Sequence, residues 1–154
     1  MENKLKNLSK ESQDFYSALN NENDYVCVLL SINYLDQILF SILHNHFKKG
    51  KTTDFLLKQE GGVLGTFFNR TAISYCLNLI SKNTKSNFQT LGEIRNIFAH
   101  NYLITTFDTP KIKEKCAKLI LPDICNEIIL DKSLLSNRDK FSFVVVLTAQ
   151  NLMV

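Results

Sequence analysis

The sequence predicts an all-α fold, a helical bundle formed as one domain over residues 1–154. Three observations predict it. Only five glycines and two prolines punctuate 154 residues, too few breakers for a many-turned β architecture. Apolar residues recur three and four positions apart through long stretches, as on one face of a helix. Ser, Thr, Asn or Asp stands before several of these stretches, where a side-chain oxygen can satisfy the first free amides of a helix. A chain of this length buries roughly 68–70% of its unfolded surface, enough for a proper core.

The elements follow in order. Residues 1–8 read as a frayed start. Ser9 caps a helix through about Leu19, with Phe15, Tyr16 and Leu19 on its apolar side. A polar turn, Asn20 to Asn23, leads to the longest element, about Asp24 to Lys48, capped by Asn23 or Asp24. Cys27, Leu30, Tyr34 and Ile38 trace one side of it, and Val28, Leu35, Leu39 and Ile42 another. A helix apolar on more than one face is central, or is partly covered by a second subunit. Lys48-Lys49-Gly50 ends it, with cations in the last turn and glycine beyond.

Thr52 to Gln59 reads as a short helix capped by Thr52 or Thr53, and Glu60 to Gly65 as a glycine-rich turn. That turn lacks the Lys-Ser/Thr ending and the preceding strand of a phosphate-binding loop. Thr66 to Ile80 is predicted helical, with Phe67, Ala72, Tyr75 or Cys76, and Leu79 inward. Arg70, among apolar neighbours, is placed in a salt bridge to Asp36 or Glu93 that sets helix register. Thr84 or Ser86 caps the next helix, which carries Phe88, Leu91, Ile94 and Phe98 to about Tyr102. Gly92 inside it costs roughly 1 kcal/mol against Ala, and permits a close helix approach. Asp108-Thr109-Pro110 starts another helix, with Ile112, Cys116, Leu119 and Ile120 inward. Lys111, Lys115 and Lys118 make a basic stripe on it, either a solvated face or a phosphate-contact strip. Pro122 breaks that helix; Asp123 to Leu135 is partly helical; Asn137 or Asp139 opens a last helix from Lys140 to Val154. The β-branched Val144-Val145-Val146 would suit a strand, but length and the helical context favour helix.

Eighteen Lys and Arg stand against fifteen Asp and Glu, a net charge of +3, too small to imply nucleic-acid binding by itself. The four cysteines, Cys27, Cys76, Cys116 and Cys125, form no CxxC pair and read as buried free thiols of a reducing, cytoplasmic protein. No zinc site, other metal or cofactor is expected from them. The polar start lacks the apolar core of a signal peptide. The apolar runs are interrupted by Asn33, Asp36, Gln37, His44 and Gln150, which argues for packed helices and against membrane spans.

The chemistry gathers in Leu91-Gly92-Glu93-Ile94-Arg95-Asn96-Ile97-Phe98-Ala99-His100. Leu91, Ile94 and Phe98 face the core, while Glu93, Asn96 and His100 recur as a polar stripe. Arg95 lies about 140° from His100, with a side chain long enough to wrap back. Arg, Asn and His suit phosphodiester cleavage without a metal. His100 can exchange a proton near neutral pH, Arg95 can hold a phosphate, and Asn96 can orient either. RNA supplies its own 2′-hydroxyl nucleophile. A single His is poorly placed to be acid and base at once; a two-fold dimer would bring two. The same residues also suit a structural hydrogen-bonded network, with Glu93 and Arg95 in ion pairs and His100 at the helix end, or a ligand site. His44 and His46, two apart on a helix, do not face each other.

The block Glu93 to His100 resembles the IRNxFAH signature of the mannitol operon repressor family. Gly62 to Ile80 resembles that family's glycine-led segment, matching at Gly62, Leu64, Gly65, Phe67, Arg70, Tyr75, Leu77, Leu79 and Ile80. Val63, Thr71-Ala72 and Asn78 depart from it. The wider resemblance is to the HEPN superfamily, whose Arg-x4–6-His motif falls on Arg95 and His100, with Asn96 after the Arg. The resemblance implies a HEPN-like bundle and a homodimer with the motifs near its axis. It also implies a transcription regulator working through a protein partner, such as a transcription factor, or a bound ligand. The alternative it implies is a metal-independent endoribonuclease acting on RNA, paired with an antitoxin. Arg70, Asp36, Glu93, Lys111, Lys115 and Lys118 are the candidate binding residues beside the motif.

Overall fold

A computed structural model describes residues 8–122 and 135–153. The protein is all-α. Seven helices are formed among the described residues: α1 (Lys10–Asn20), α2 (Asp24–His46), α3 (Lys51–Leu57), α4 (Phe67–Cys76), α5 (Lys82–His100), α6 (Pro110–Ala117) and α7 (Asn137–Met153).

Capping chemistry sets most of their starts. Ser9 accepts the Ser12 amide at 3.2 Å, Asn23 the Val26 amide at 2.9 Å, Thr66 the Asn69 amide at 3.2 Å and Ser81 the Thr84 amide at 3.1 Å. Each removes one of the orphan donors that every helix leaves at its N-terminus. Ser136 does the same for α7, accepting the Asp139 amide and donating to the Asp139 carboxylate at 2.7 Å.

α2 is the central element, packed by α1, α4, α5 and α7. It is the one described helix long and apolar enough to cross a membrane, yet half of its most apolar stretch is buried in the bundle. Leu35, Leu39, Phe88, Leu91, Ile94 and Phe98 pack in one core with Phe141 and Val144. Phe107 joins its aromatic part, 5.5 Å from the Phe98 ring and 5.2 Å from that of Phe141. α7 is buried without a break from Phe141 to Ala149. That all-round burial, and not an amphipathic stripe, explains how three successive valines sit in a helix.

The structure corrects several boundaries. α4 stops at Cys76, four residues before the expected end, because Asn78 takes a left-handed conformation (φ 56°). Asn tolerates that region better than most residues. The Leu79 amide then returns to the Ser74 carbonyl at 2.9 Å. The early stop frees Ser81, rather than Thr84 or Ser86, to cap α5, which ends at His100. α3 begins at Lys51 after Gly50 with no side-chain cap; Thr53 donates instead to the Lys48 carbonyl. Ala72 and Ile120 face solvent, not the core. Ile120 is held there by its backbone, which exchanges two 2.8 Å hydrogen bonds with the Asn87 side chain. Cys76 is exposed, against expectation, while Cys27 and Cys116 are buried. Cys125 and the segment expected to be helical from Asp123 lie largely outside the described residues.

Burial raises the Cys27 thiol above its ordinary range and pushes that of Cys116 up to about 11. Both are therefore inert as nucleophiles in the folded protein. In a Cys125→Ser background, an aromatic disulfide reagent at pH 8 should modify one thiol, Cys76, in native protein and three after denaturation. Rapid native reaction of a second thiol would contradict the buried placement.

Candidate functional site

Arg70 anchors the site from behind. Its side chain is 3% exposed and makes three hydrogen bonds. Nη1 donates to Asp36 Oδ2 at 2.7 Å, Nε to the Leu64 carbonyl at 2.9 Å and Nη2 to the Leu57 carbonyl at 2.8 Å. The guanidinium also lies 5.2 Å from the centre of the Phe40 ring. Of the two expected partners, Asp36 is the one taken. Glu93 pairs with Lys115 on α6 instead.

The glycine-rich turn owes its residues to this arrangement. A Cβ at Gly62 or Gly65 would collide with the Lys58 carbonyl oxygen, and one at Gly62 also with those of Leu56 and Phe55. The turn folds tightly back on the end of α3. It offers the Leu64 carbonyl to a buried cation, whereas a phosphate cradle would aim amides at an anion.

Asp36 is left half satisfied. Its side chain is 9% exposed, and Oδ1 has no hydrogen-bond partner among the described residues. Burial pushes its carboxyl above the usual range, with Arg70 and then Arg95 pulling the other way.

In front of Asp36 opens a cavity of about 540 Å³. Leu29, Ile32, Asn33 and Asp36 of α2 form one wall, and Gly92, Arg95 and Asn96 of α5 another. Gln59, Gly65, Thr66, Phe67 and Phe68 close it from the turn and the start of α4. A Cβ at Gly92 would meet the Phe68 ring 2.6 Å away. The close approach expected there is thus made by an aromatic ring of α4 rather than by a helix backbone.

The polar stripe of α5 is accordingly divided. Glu93 turns to Lys115, and Asn96 and Arg95 turn to the cavity, where Arg95 Nη1 donates to Asn96 Oδ1 at 3.1 Å. His100 is the last residue of α5 and exposed. It lies about 40° around the helix from Asn96 and one turn further on, outside the cavity lining. The structure therefore gathers Asp36, Arg95 and Asn96, sets Arg70 behind them and His100 beyond them. In the basic stripe, Lys115 is paired with Glu93, Lys118 with Glu114 at 3.0 Å, and Lys111 is exposed. His44 pairs with Asp54 at 3.3 Å, away from the site.

Arg70 and Asp36 cancel in charge, so Arg95 gives the cavity its net sign. An anionic group suits Arg95, and a hydrogen-bond donor suits Asp36 Oδ1. Leu29, Ile32, Asn33 and Asp36 recur at i, i+3, i+4 and i+7, a regular helical face. That face was the sequence signal for the wall, overlooked beside the more apolar faces of the same helix.

Removing one member of the buried pair leaves the other charge uncompensated. Arg70→Ala should destabilise the fold by about 3–5 kcal/mol, read from urea unfolding. The raised carboxyl of Asp36 means that the folded state holds its proton to higher pH than the unfolded state. Stability from this group is therefore full below the unfolded value and declines as pH rises through the window just above it. The stability of wild type relative to Asp36→Asn should fall as pH rises above the ordinary carboxyl range; a rise would reverse the assignment.

Comparison with protein-family models, curated proteins and solved structures finds no match to this chain.

Proposed function

We propose that this chain is a cytoplasmic regulatory protein of the mannitol operon repressor type, with a HEPN-like bundle, acting in transcriptional control. It works through a bound ligand that alters its contacts with a protein partner such as a transcription factor. The observation that carries this reading is the unsatisfied, nine-tenths buried Oδ1 of Asp36 beside a cavity that also holds Arg95 and Asn96. A buried carboxylate oxygen without a partner is costly, and a ligand donor would satisfy it. The cavity volume falls in the range of small-molecule sites. Tyr102, Leu103 and Ile104, 57%, 81% and 80% exposed just after α5, supply an apolar surface for a homodimer or a partner protein.

Thermal unfolding against a panel of anionic metabolites tests the reading. At least one chemical class should raise the melting temperature of wild type and leave that of Arg95→Gln unmoved. Arg95 is exposed, so this variant folds. A panel with no response would remove the ligand-regulated reading.

The second reading, a metal-independent endoribonuclease, is favoured by one observation. Arg95, Asn96 and His100 all lie at or near the surface of one helix, followed at once by the exposed Tyr102-Leu103-Ile104. A two-fold dimer through that patch would bring two imidazoles together. RNA incubated in EDTA should then be cut by wild type to 2′,3′-cyclic phosphate ends and left intact by His100→Ala. Equal cleavage by both proteins would dismiss the nuclease.

A further inference from the structure

We infer that His44 is a proton-operated latch at the end of α2, which holds the Lys49 ammonium when neutral and releases it when protonated. The latch lies outside the cavity lining and needs no ligand there.

Both ring nitrogens of His44 are engaged, by partners of opposite charge. Lys49 Nζ lies 3.0 Å from Nδ1, and Asp54 Oδ1 of α3 lies 3.3 Å from Nε2. An ammonium has only donors to offer, so Nδ1 is the acceptor of the Lys49 bond. A neutral imidazole then carries its one proton on Nε2, where it donates to Asp54. The two contacts together select one tautomer of the neutral ring.

Lys49 is fully used in this state. Besides its bond to Nδ1, it donates to the His44 carbonyl at 2.8 Å and to Asn45 Oδ1 at 3.2 Å. Three acceptors match the three donors of an ammonium. The His44 carbonyl is among the last four of α2, which lack intrahelical partners, so the ammonium also caps the helix end. The backbone of the link is held for this return, since Thr53 of α3 donates to the Lys48 carbonyl.

Protonation undoes half of this arrangement. An imidazolium is a donor at both nitrogens. Nε2 keeps Asp54, now as an ion pair, while Nδ1 turns a donor and a like charge toward the ammonium 3.0 Å away. The helix dipole favours a cation at this end, and the imidazolium supplies one as Lys49 leaves. α2 and α3 therefore stay joined through Asp54. Lys49 swings out beside Lys48 and Lys51, both exposed. The link gains a free positive charge over the pH range in which an imidazole ordinarily titrates.

Among the described residues, the charged groups that touch the ring are these two, Asp54 from α3 and Lys49 from the link. On α2 itself the Phe40 ring stacks against His44, with centres 5.6 Å apart and planes 12° from parallel. Arg70 of α4 is the charge beyond it, 5.2 Å from the centre of the same Phe40 ring. The His44 side chain is 33% exposed, so protons reach it directly from solvent.

NMR of the imidazole ring and lysine Cε signals of the full chain, followed from about pH 5 to 8, tests the latch. The His44 signals are those lost in His44→Gln. Neutral His44 should show the Nε2–H tautomer, and the Lys49 Cε signal should move with the same midpoint as the His44 ring. Lys49→Met removes the neighbouring cation and should raise the ring midpoint by about half a pH unit. Asp54→Asn removes the carboxylate and should lower it. Lys49 and Asp54 are exposed, so both variants fold. In His44→Gln the Lys49 signal should lose its response across this range. A neutral Nδ1–H tautomer would overturn the latch. So would a ring midpoint unmoved in Lys49→Met, or a Lys49 signal in wild type that ignores the His44 transition.

Discussion

The Asp36–Arg70 pair is the constraint on which the site depends. Two charges are taken out of water between α2 and α4, which repays little in net stability unless every donor is met. Here the guanidinium meets a carboxylate from α2, a carbonyl from the end of α3 and a carbonyl from the glycine turn. A well-packed apolar pair would hold two helices together as strongly. What the ion pair adds is location: it fixes the start of α4 against α2 to within a hydrogen-bond length. The floor of the cavity and the ring of Phe68 inherit that definition. One carboxylate oxygen is spent on the scaffold and the other is kept in reserve.

α5 distributes its residues among three surroundings. Leu91, Ile94 and Phe98 enter the core, Glu93 reaches α6, and Gly92, Arg95 and Asn96 line the cavity. The Arg-Asn-His sequence is therefore not one polar cluster in a protomer. Its first two members line an open cavity, Arg95 itself exposed, and its third faces solvent at the helix end. The cavity is lined by α2, α4 and α5 together, and α5 leads directly into the exposed Tyr102-Leu103-Ile104.

The helices were legible because their apolar spacing is regular and their caps are chemically explicit, as at Ser9, Asn23 and Pro110. The boundaries misplaced around α4 and α5 trace to one residue. Asn78 was read as helical from its neighbours, yet its left-handed backbone ends α4, and the cap of α5 moves to Ser81 as a result. Ile120 was read inward by period, but the Asn87 side chain captures its backbone and settles the matter by hydrogen bonding. Arg70 with Asp36 was readable because a buried Arg needs a carboxylate and few were within reach. The cavity was not readable. Its walls come from residues 29–36, 59–68 and 92–96, and only the crossing of three helices brings them together.

Gly92 carries a consequence of its own. The helix gives up propensity there so that the Phe68 ring can lie against its backbone. Any other residue would push on the tip of a side chain that is partly free to swing, not on fixed main chain. Position 92 therefore sets how closely the Phe68 ring lies against α5 at the cavity lining. A larger residue there would move that ring and change the width of the cavity while both helix backbones stay in place.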